Sequence, residues 1–241
     1  MQQFFVQRSI FVTGTDTGVG KTRVVRAIVA AWRQRGRDAV AMKPIETGCA
    51  RDGDRLLPDD GAALAATCGR AIDLVCPSRF ETPASPEAAA AREGRAVDFA
   101  AIDRAYRALA DGADAILVEG AGGLLVPVDG ARAMADLAAR YASRLLVVAR
   151  ASLGTVNHTL LTVEAARARG LAVAGVVLNR VVDERGPDED SNAEAIATRA
   201  RVRVFGTLPH RPRADDQSLA ADAEAHLALE DLWRMLDSPP R

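Results

Sequence analysis

The chain has 241 residues, 49% hydrophobic and 26% charged, with a formal net charge of −1. That is enough chain for a sizeable core in one domain, residues 1–241, and the balanced charge argues against nucleic acid or anionic lipid as partners. Cys49, Cys68 and Cys76 are odd in number and lack CxxC spacing, no apolar run approaches the roughly 20 residues that span a bilayer, and MQQFFVQR is too short for a signal-peptide core; a cytoplasmic protein without membrane, disulfide framework or zinc site is expected.

The first expected element is a buried strand, Ser9–Thr13. The loop GTDTGVGKT follows, and then a helix, TRVVRAIVAAWRQRG, that ends at Gly36. Strand, glycine loop and helix make the setting of a phosphate-binding loop. Backbone N–H groups and the helix N-terminus cradle phosphate oxygens there. Lys21 reaches the β- and γ-phosphates, and the Thr22 hydroxyl binds Mg²⁺. The usual loop has four residues between its first glycine and the Gly-Lys pair. Here five, Thr15 to Val19, separate Gly14 from Gly20. The extra residue enters upstream of the phosphate nest and leaves the Gly20-Lys21-Thr22 ending intact.

A second strand, Ala39–Lys43, opens AMKPIETG and puts Lys43 at its end, with Thr47 four residues on. A second lysine near the γ-phosphate suits phosphoryl transfer to an anionic acceptor, because it neutralises charge developing in the transition state. Asp59 and Asp60 precede a short helix. Spacing leaves open whether they are metal-binding carboxylates or helix N-caps. Residues 77–95 hold three prolines and read as an excursion on the substrate side. The helix after it carries Phe99, Ile102, Tyr106 and Leu109 on one face.

The third strand, Ala115–Glu119, ends in an acid that can orient Mg²⁺ on a nucleotide. Gly120, Gly122 and Gly123 then allow backbone to approach a ligand closely. A fourth strand, Arg144–Ala149, leads to ASLGTVNHTLLT, where Gly154, Thr155 and Asn157 open a helix and offer groups to an anion such as a carboxylate. His158 has no His or Cys partner at ligand spacing and reads as structural. The fifth strand, Val173–Asn179, ends in an asparagine able to pair with the N6 and N7 edge of adenine. The run Asn179, Arg180, Val181, Val182 is not the Asn-Lys-x-Asp of a guanine reader, which favours ATP over GTP. Residues 180–192 are charged and read as a mobile surface loop. A sixth strand, Val202–Leu208, precedes a C-terminal helix expected to pack Leu229, Leu232, Trp233 and Leu236 on the body.

Most of the strands lack polar alternation, and they alternate with helices. This describes an α/β fold, a P-loop NTPase-like, mostly parallel sheet with helices on both faces. Ligands in such sheets bind at the carboxyl ends of the strands, where Lys43, Glu119 and Asn179 are expected. No Ser–His triad or thiol nucleophile is evident, and Cys49 reads as a small filler.

Taken together, VTGTDTGVGKT, KPIETG, DDGAALA, PASP, VEGAGGLLVP, LGTVNHTLLT, VLN and GTLP, in that order over residues 11–209, resemble the dethiobiotin synthetase family. That family's phosphate loop is lengthened in the same way. The resemblance implies an ATP- and Mg²⁺-dependent ligase of biotin biosynthesis that joins CO₂ to 7,8-diaminononanoate through a carbamate and a carbamic–phosphoric anhydride. It assigns Lys21 and Lys43 to phosphoryl charge, and Thr17 with the Gly18, Val19 and Gly20 amides to phosphates or substrate. Thr22, Asp60 and Glu119 go to Mg²⁺. Thr47, Gly120, Ala121, Gly122 and Gly123 go to the diamine or carbamate, and Asn179 and Pro209 to adenine. It also implies a homodimer binding the substrate carboxylate across its interface, a role that Gly154, Thr155 and Asn157 fit. The sequence departs from many members at Gly18, where acid is common, at Glu87, where histidine is common, and at Thr47, where serine is common but the hydroxyl is kept. The alternative is a partition- or switch-type P-loop ATPase. Such proteins usually carry a signature lysine early in the loop, where Asp16 stands here.

Overall fold

Each of the six apolar segments expected as strands enters one parallel sheet in the computed structural model, which describes residues 8–184, 186 and 189–237. They are β1 (Ser9–Gly14), β2 (Ala39–Met42), β3 (Ala115–Gly123), β4 (Arg144–Arg150), β5 (Val173–Asn179) and β6 (Val204–Leu208). Their spatial order is β6-β5-β4-β1-β3-β2. Every residue of β1 and β2 is buried, as parallel strands covered on both faces require.

The helix Lys21–Gln34 leaves β1 through the glycine loop. Its buried Val24, Val25, Ile28 and Trp32 recur at helical spacing and pack into the core. Full burial of a side chain of that size stabilises by about 1.5–3 kcal/mol. On Phe99–Ala110, Ile102, Tyr106 and Leu109 are buried and Phe99 packs at the margin. Asp98 caps this helix by accepting from the Ala101 N–H at 2.9 Å. The C-terminal helix, Leu229–Leu236, buries Leu229, Leu232 and Leu236 and sets Trp233 edge-on to Trp32 at 4.9 Å.

The segment 77–95 is more regular than its prolines suggest. Ser78–Phe80 pairs in parallel with Ile45–Thr47, and Pro86–Arg92 is helical. The reading of 180–192 as a loop holds for the described residues 180–184 and 186 and needs correction at its end. Residues 185, 187 and 188 lie outside the described residues, but Glu189–Asn192 begin the helix Glu189–Ala200. This turn is anchored, since buried Glu189 accepts from Arg180 Nε at 2.9 Å and Asn192 is also buried. Among the described residues no helix is long and apolar enough to cross a membrane.

Register sets which residues come level. Val12 of β1 and Glu119 of β3 are partners, and Met42 of β2 faces Val118 of β3. Lys43, one residue past Met42, therefore lies level with Glu119. On the other side of β1, Arg150 of β4 faces Asn179 of β5, and Asn179 faces Leu208 of β6.

Candidate active site

The phosphate loop closes on Gly20, the helix N-cap, whose φ of 90° lies in the left-handed region. Glycine adopts this conformation without the Cβ penalty. The chain then turns into the helix with Lys21 and Thr22 in its first turn. Thr22 Oγ1 donates to Glu119 Oε1 at 2.8 Å. Lys43 Nζ reaches the same Glu119 oxygen at 2.5 Å and Asp60 Oδ2 at 2.6 Å. Thus a hydroxyl, a lysine and two carboxylates from four separate segments meet just past the ends of β1 and β2 and beside the middle of β3. Glu119 is fully buried, and its other oxygen, Oε2, has no hydrogen-bond partner among the described residues.

Burial lowers the Lys43 pKa, but Glu119 and Asp60 outweigh it and hold it above the ordinary lysine value. These two carboxylate partners favour the charged form of Lys43. Lys21 is lowered, because burial outweighs the pull of Glu119. Asp60 is held below the usual carboxylate range by Lys43, against the opposing effect of burial. Neither Asp59 nor Asp60 caps the helix Asp59–Cys68 with its side chain. That cap comes from Glu46, whose Oε1 and Oε2 accept from the N–H groups of Asp60 at 3.0 Å and Gly61 at 2.7 Å. Asp60 is thereby free to face the lysine.

A cleft of about 380 Å³ opens over this cluster, lined by Thr17, Gly18, Gly20 to Arg23, Lys43, Glu46, Thr47, Asp60, Glu119, Ala121 and Gly122. Most residues read from the sequence as phosphate, metal or substrate contacts are thus brought together. Others are not. Gly120 turns its α-carbon toward the Phe11 ring, where an added Cβ would stand 2.8 Å from it. Gly123 lies beside Gly14 and lines a neighbouring groove with Leu125, Val126 and Leu161. Val19 is buried below the loop. Gly154, Thr155 and Asn157 begin the helix Thr155–Ala168 outside the cleft; Thr155 is buried, its Oγ1 without a hydrogen-bond partner among the described residues, and Asn157 is exposed. Asn179 is buried at the end of β5 with its Nδ2 on the Val19 carbonyl at 2.9 Å, and Pro209 follows Leu208 at the end of β6. Asp16, at the place of a switch ATPase's signature lysine, pairs with Arg150 at 2.6 Å.

Sequence reasoning missed Glu46 and Arg23. Both line the cleft, but their partners lie 14 or more residues away, and no local spacing announces them. Cys49, Cys68 and Cys76 are buried free thiols, with Cys49 pushed up to about 11 by burial.

A family model described as an AAA domain matches residues 8–218. The ATP-dependent dethiobiotin synthetase BioD of Anaeromyxobacter dehalogenans (strain 2CP-1) is 50% identical over 207 residues, covering 85% of this chain and 91% of that protein. The enzyme of the same name from Aquifex aeolicus is 36% identical, covering 91% and 95%. Among solved structures, the MinC:MinD cell division protein complex of Aquifex aeolicus matches with a TM-score of 0.55 at 14% identity, covering 96% of each chain. At that identity the likeness shows a shared fold alone. The sequence relatives, each matched along most of its length, show more: this chain belongs to the ATP-dependent dethiobiotin synthetase family.

Proposed function

We propose that the cleft joins CO₂ to 7,8-diaminononanoate (7,8-diaminopelargonate) at the expense of ATP, yielding dethiobiotin, ADP and phosphate. The observation that carries this reading is the convergence of two lysines, a hydroxyl and two carboxylates in one cleft beside Thr47. No protein nucleophile is needed. One amine of the substrate adds to CO₂ and loses a proton, giving a carbamate. A carbamate oxygen takes the γ-phosphoryl group, forming the carbamic–phosphoric anhydride and releasing ADP. The second amine attacks the anhydride carbonyl carbon and loses a proton, which ends on phosphate or solvent; the ring closes, and phosphate leaves with the C–O bonding pair.

In this reading Lys21 and Lys43 neutralise charge on the transferring phosphoryl group. The raised pKa of Lys43 suits a fixed cation and not a base. Thr17 and the amides of Gly18, Val19 and Gly20 hold phosphate oxygens. Thr22, Asp60 and Glu119 would hold Mg²⁺, and the unpaired buried Oε2 of Glu119 fits that role. Bound there, Mg²⁺ supplies positive charge to the phosphate oxygens. Thr47, Ala121 and Gly122 contact the diamine or carbamate from the cleft wall, while Gly120 and Gly123 shape the backbone on either side. Asn179 and Pro209 flank adenine.

The substrate carboxylate is bound across a homodimer interface by Gly154, Thr155 and Asn157. Exposed Leu125, Leu153 and Leu161 support a covered face beside that helix. A cytoplasmic location fits this chemistry.

The test mixes protein, Mg·ATP and bicarbonate with and without the diamine, following phosphate release and product mass. Phosphate coupled to a cyclic urea is expected. ATP hydrolysis indifferent to the diamine overturns the reading in favour of a switch-type ATPase.

A further inference from the structure

Arg23, one residue past Thr22, lines the cleft and has had no role so far. Its Nη1 donates to Asn179 Oδ1 at 2.8 Å, and its Nη2 lies 3.4 Å from Asp222 Oδ2. Asp222 is itself buried and takes two bonds from Arg211, from Nε at 2.9 Å and Nη2 at 3.0 Å. A chain of charge thus runs from the segment after Pro209, through Asp222 and Arg23, to the carboxamide of Asn179. From there the Nδ2 bond to the Val19 carbonyl carries it into the phosphate loop.

These partners fix which way the carboxamide points. A guanidinium only donates, so the atom facing Arg23 must be the oxygen; a backbone carbonyl only accepts, so the atom facing Val19 must be the nitrogen. An amide oxygen has two lone pairs and an amide nitrogen two hydrogens. One acceptor and one donor therefore remain, in a set order. That pair complements the 6-amino and N7 edge of adenine. A 6-oxo purine presents two acceptors on the same edge and leaves the Asn179 oxygen facing another oxygen.

We propose that Arg23 is a specificity-determining positioning residue: by holding the Asn179 carboxamide in one orientation, it selects a 6-amino purine nucleotide over a 6-oxo one. The inference rests on the reading of Asn179 as the adenine contact. It gives that contact a direction and a cause.

The experiment compares kcat/KM for ATP and ITP in the full chain with diamine and CO₂, for the wild type and for Arg23→Met, Arg23→Gln and Asn179→Ala. ITP differs from ATP in carrying a 6-oxo in place of the 6-amino group. The wild type should prefer ATP. In Arg23→Met the ATP-to-ITP ratio should fall about tenfold or more, the scale of one bidentate base contact, with the loss appearing in KM for ATP. A merely structural role would depress both nucleotides together and leave the ratio in place. Thermal melts accompany each variant. If Arg23→Met does not fold, Arg23→Gln carries the test, because glutamine is polar but can donate or accept and so sets no orientation. An unchanged ratio in a folded Arg23 variant, alongside a collapsed ratio in Asn179→Ala, overturns the role of Arg23 alone. An unchanged ratio in Asn179→Ala, or no wild-type preference, overturns the adenine contact beneath it.

Discussion

Gly20 and Asn179 stand so close that a Cβ added to Gly20 would lie 2.1 Å from the Asn179 amide nitrogen. Two residues 159 positions apart thereby bring the phosphate loop and the end of β5 into contact. Gly20→Ala meets two penalties: the left-handed backbone, roughly 1–2 kcal/mol for a residue with a Cβ, and displacement of Asn179. ATP binding at least tenfold weaker is expected, with a modest fall in melting temperature. Calorimetric titration of ATP into the variant checks this, and wild-type affinity would show that the loop adapts.

Lys21→Ala and Lys43→Ala are each expected to lose most turnover, on the order of 10²–10³-fold, the scale of removing one preorganised charge, while keeping the fold by circular dichroism. Lys43→Ala also leaves the buried Glu119 without its cation, so this variant should be the less stable of the two. Near-wild-type rates in both would refute the site assignment.

Glu119→Gln keeps the shape of the side chain and removes its charge. The Mg²⁺ concentration for half-maximal activity should rise about tenfold or more if Glu119 is a metal ligand. A superimposable metal titration would count against that role.

Away from the site, Asp103 accepts from Tyr141 Oη at 2.6 Å and from Arg140 Nε at 2.9 Å. Burial opposes the charge, but these two partners prevail and hold the Asp103 carboxyl below its ordinary value. A carboxyl depressed in the folded state contributes stability that is present above the unfolded pKa, near 4. That stability is lost as pH falls through the folded value. Asp103→Asn should therefore destabilise at pH 7, by about 1–3 kcal/mol, and narrow its gap to the wild type below pH 4. Denaturant melts across pH 3–7 read this directly; a pH-independent gap would assign the loss to packing.

Leu161 is 57% exposed on the helix Thr155–Ala168, and Leu153 just before it is 88% exposed. If this face is the dimer contact, Leu161→Glu should shift sedimentation toward the monomer and raise KM for the diamine more than for ATP. An unchanged oligomer would place the contact elsewhere.

Much of this architecture was legible in the sequence, for a physical reason. A parallel strand covered on both faces is a local run of Val, Ile and Leu, so Ser9–Thr13 or Arg144–Ala149 announces itself without its neighbours. The glycine loop is equally local. The small elements were not legible: Ala50–Asp52 and Arg55–Leu57 form an exposed two-stranded turn with no apolar pattern. The helix start at Glu189 was hidden because its anchor, Arg180, lies nine residues back in a charged run. Glu46 and Arg23 escaped for the same reason on a larger scale. Their roles lie in what faces them, and for Arg23 that is Asn179 and Asp222, 156 and 199 residues away.

The pairing of Met42 with Val118 has a consequence for how the chain can change over time. Lys43 meets Glu119 because backbone bonds between β2 and β3 convert a separation of 76 residues into 2.5 Å. Slipping β2 by one residue would exchange its two faces, turning the lysine's position into the wall and Met42 toward the cleft. Insertions are therefore admissible in the connecting loops, as the lengthened phosphate loop illustrates, but a lone insertion or deletion inside β2 would abolish the chemistry while leaving every reactive residue in the gene.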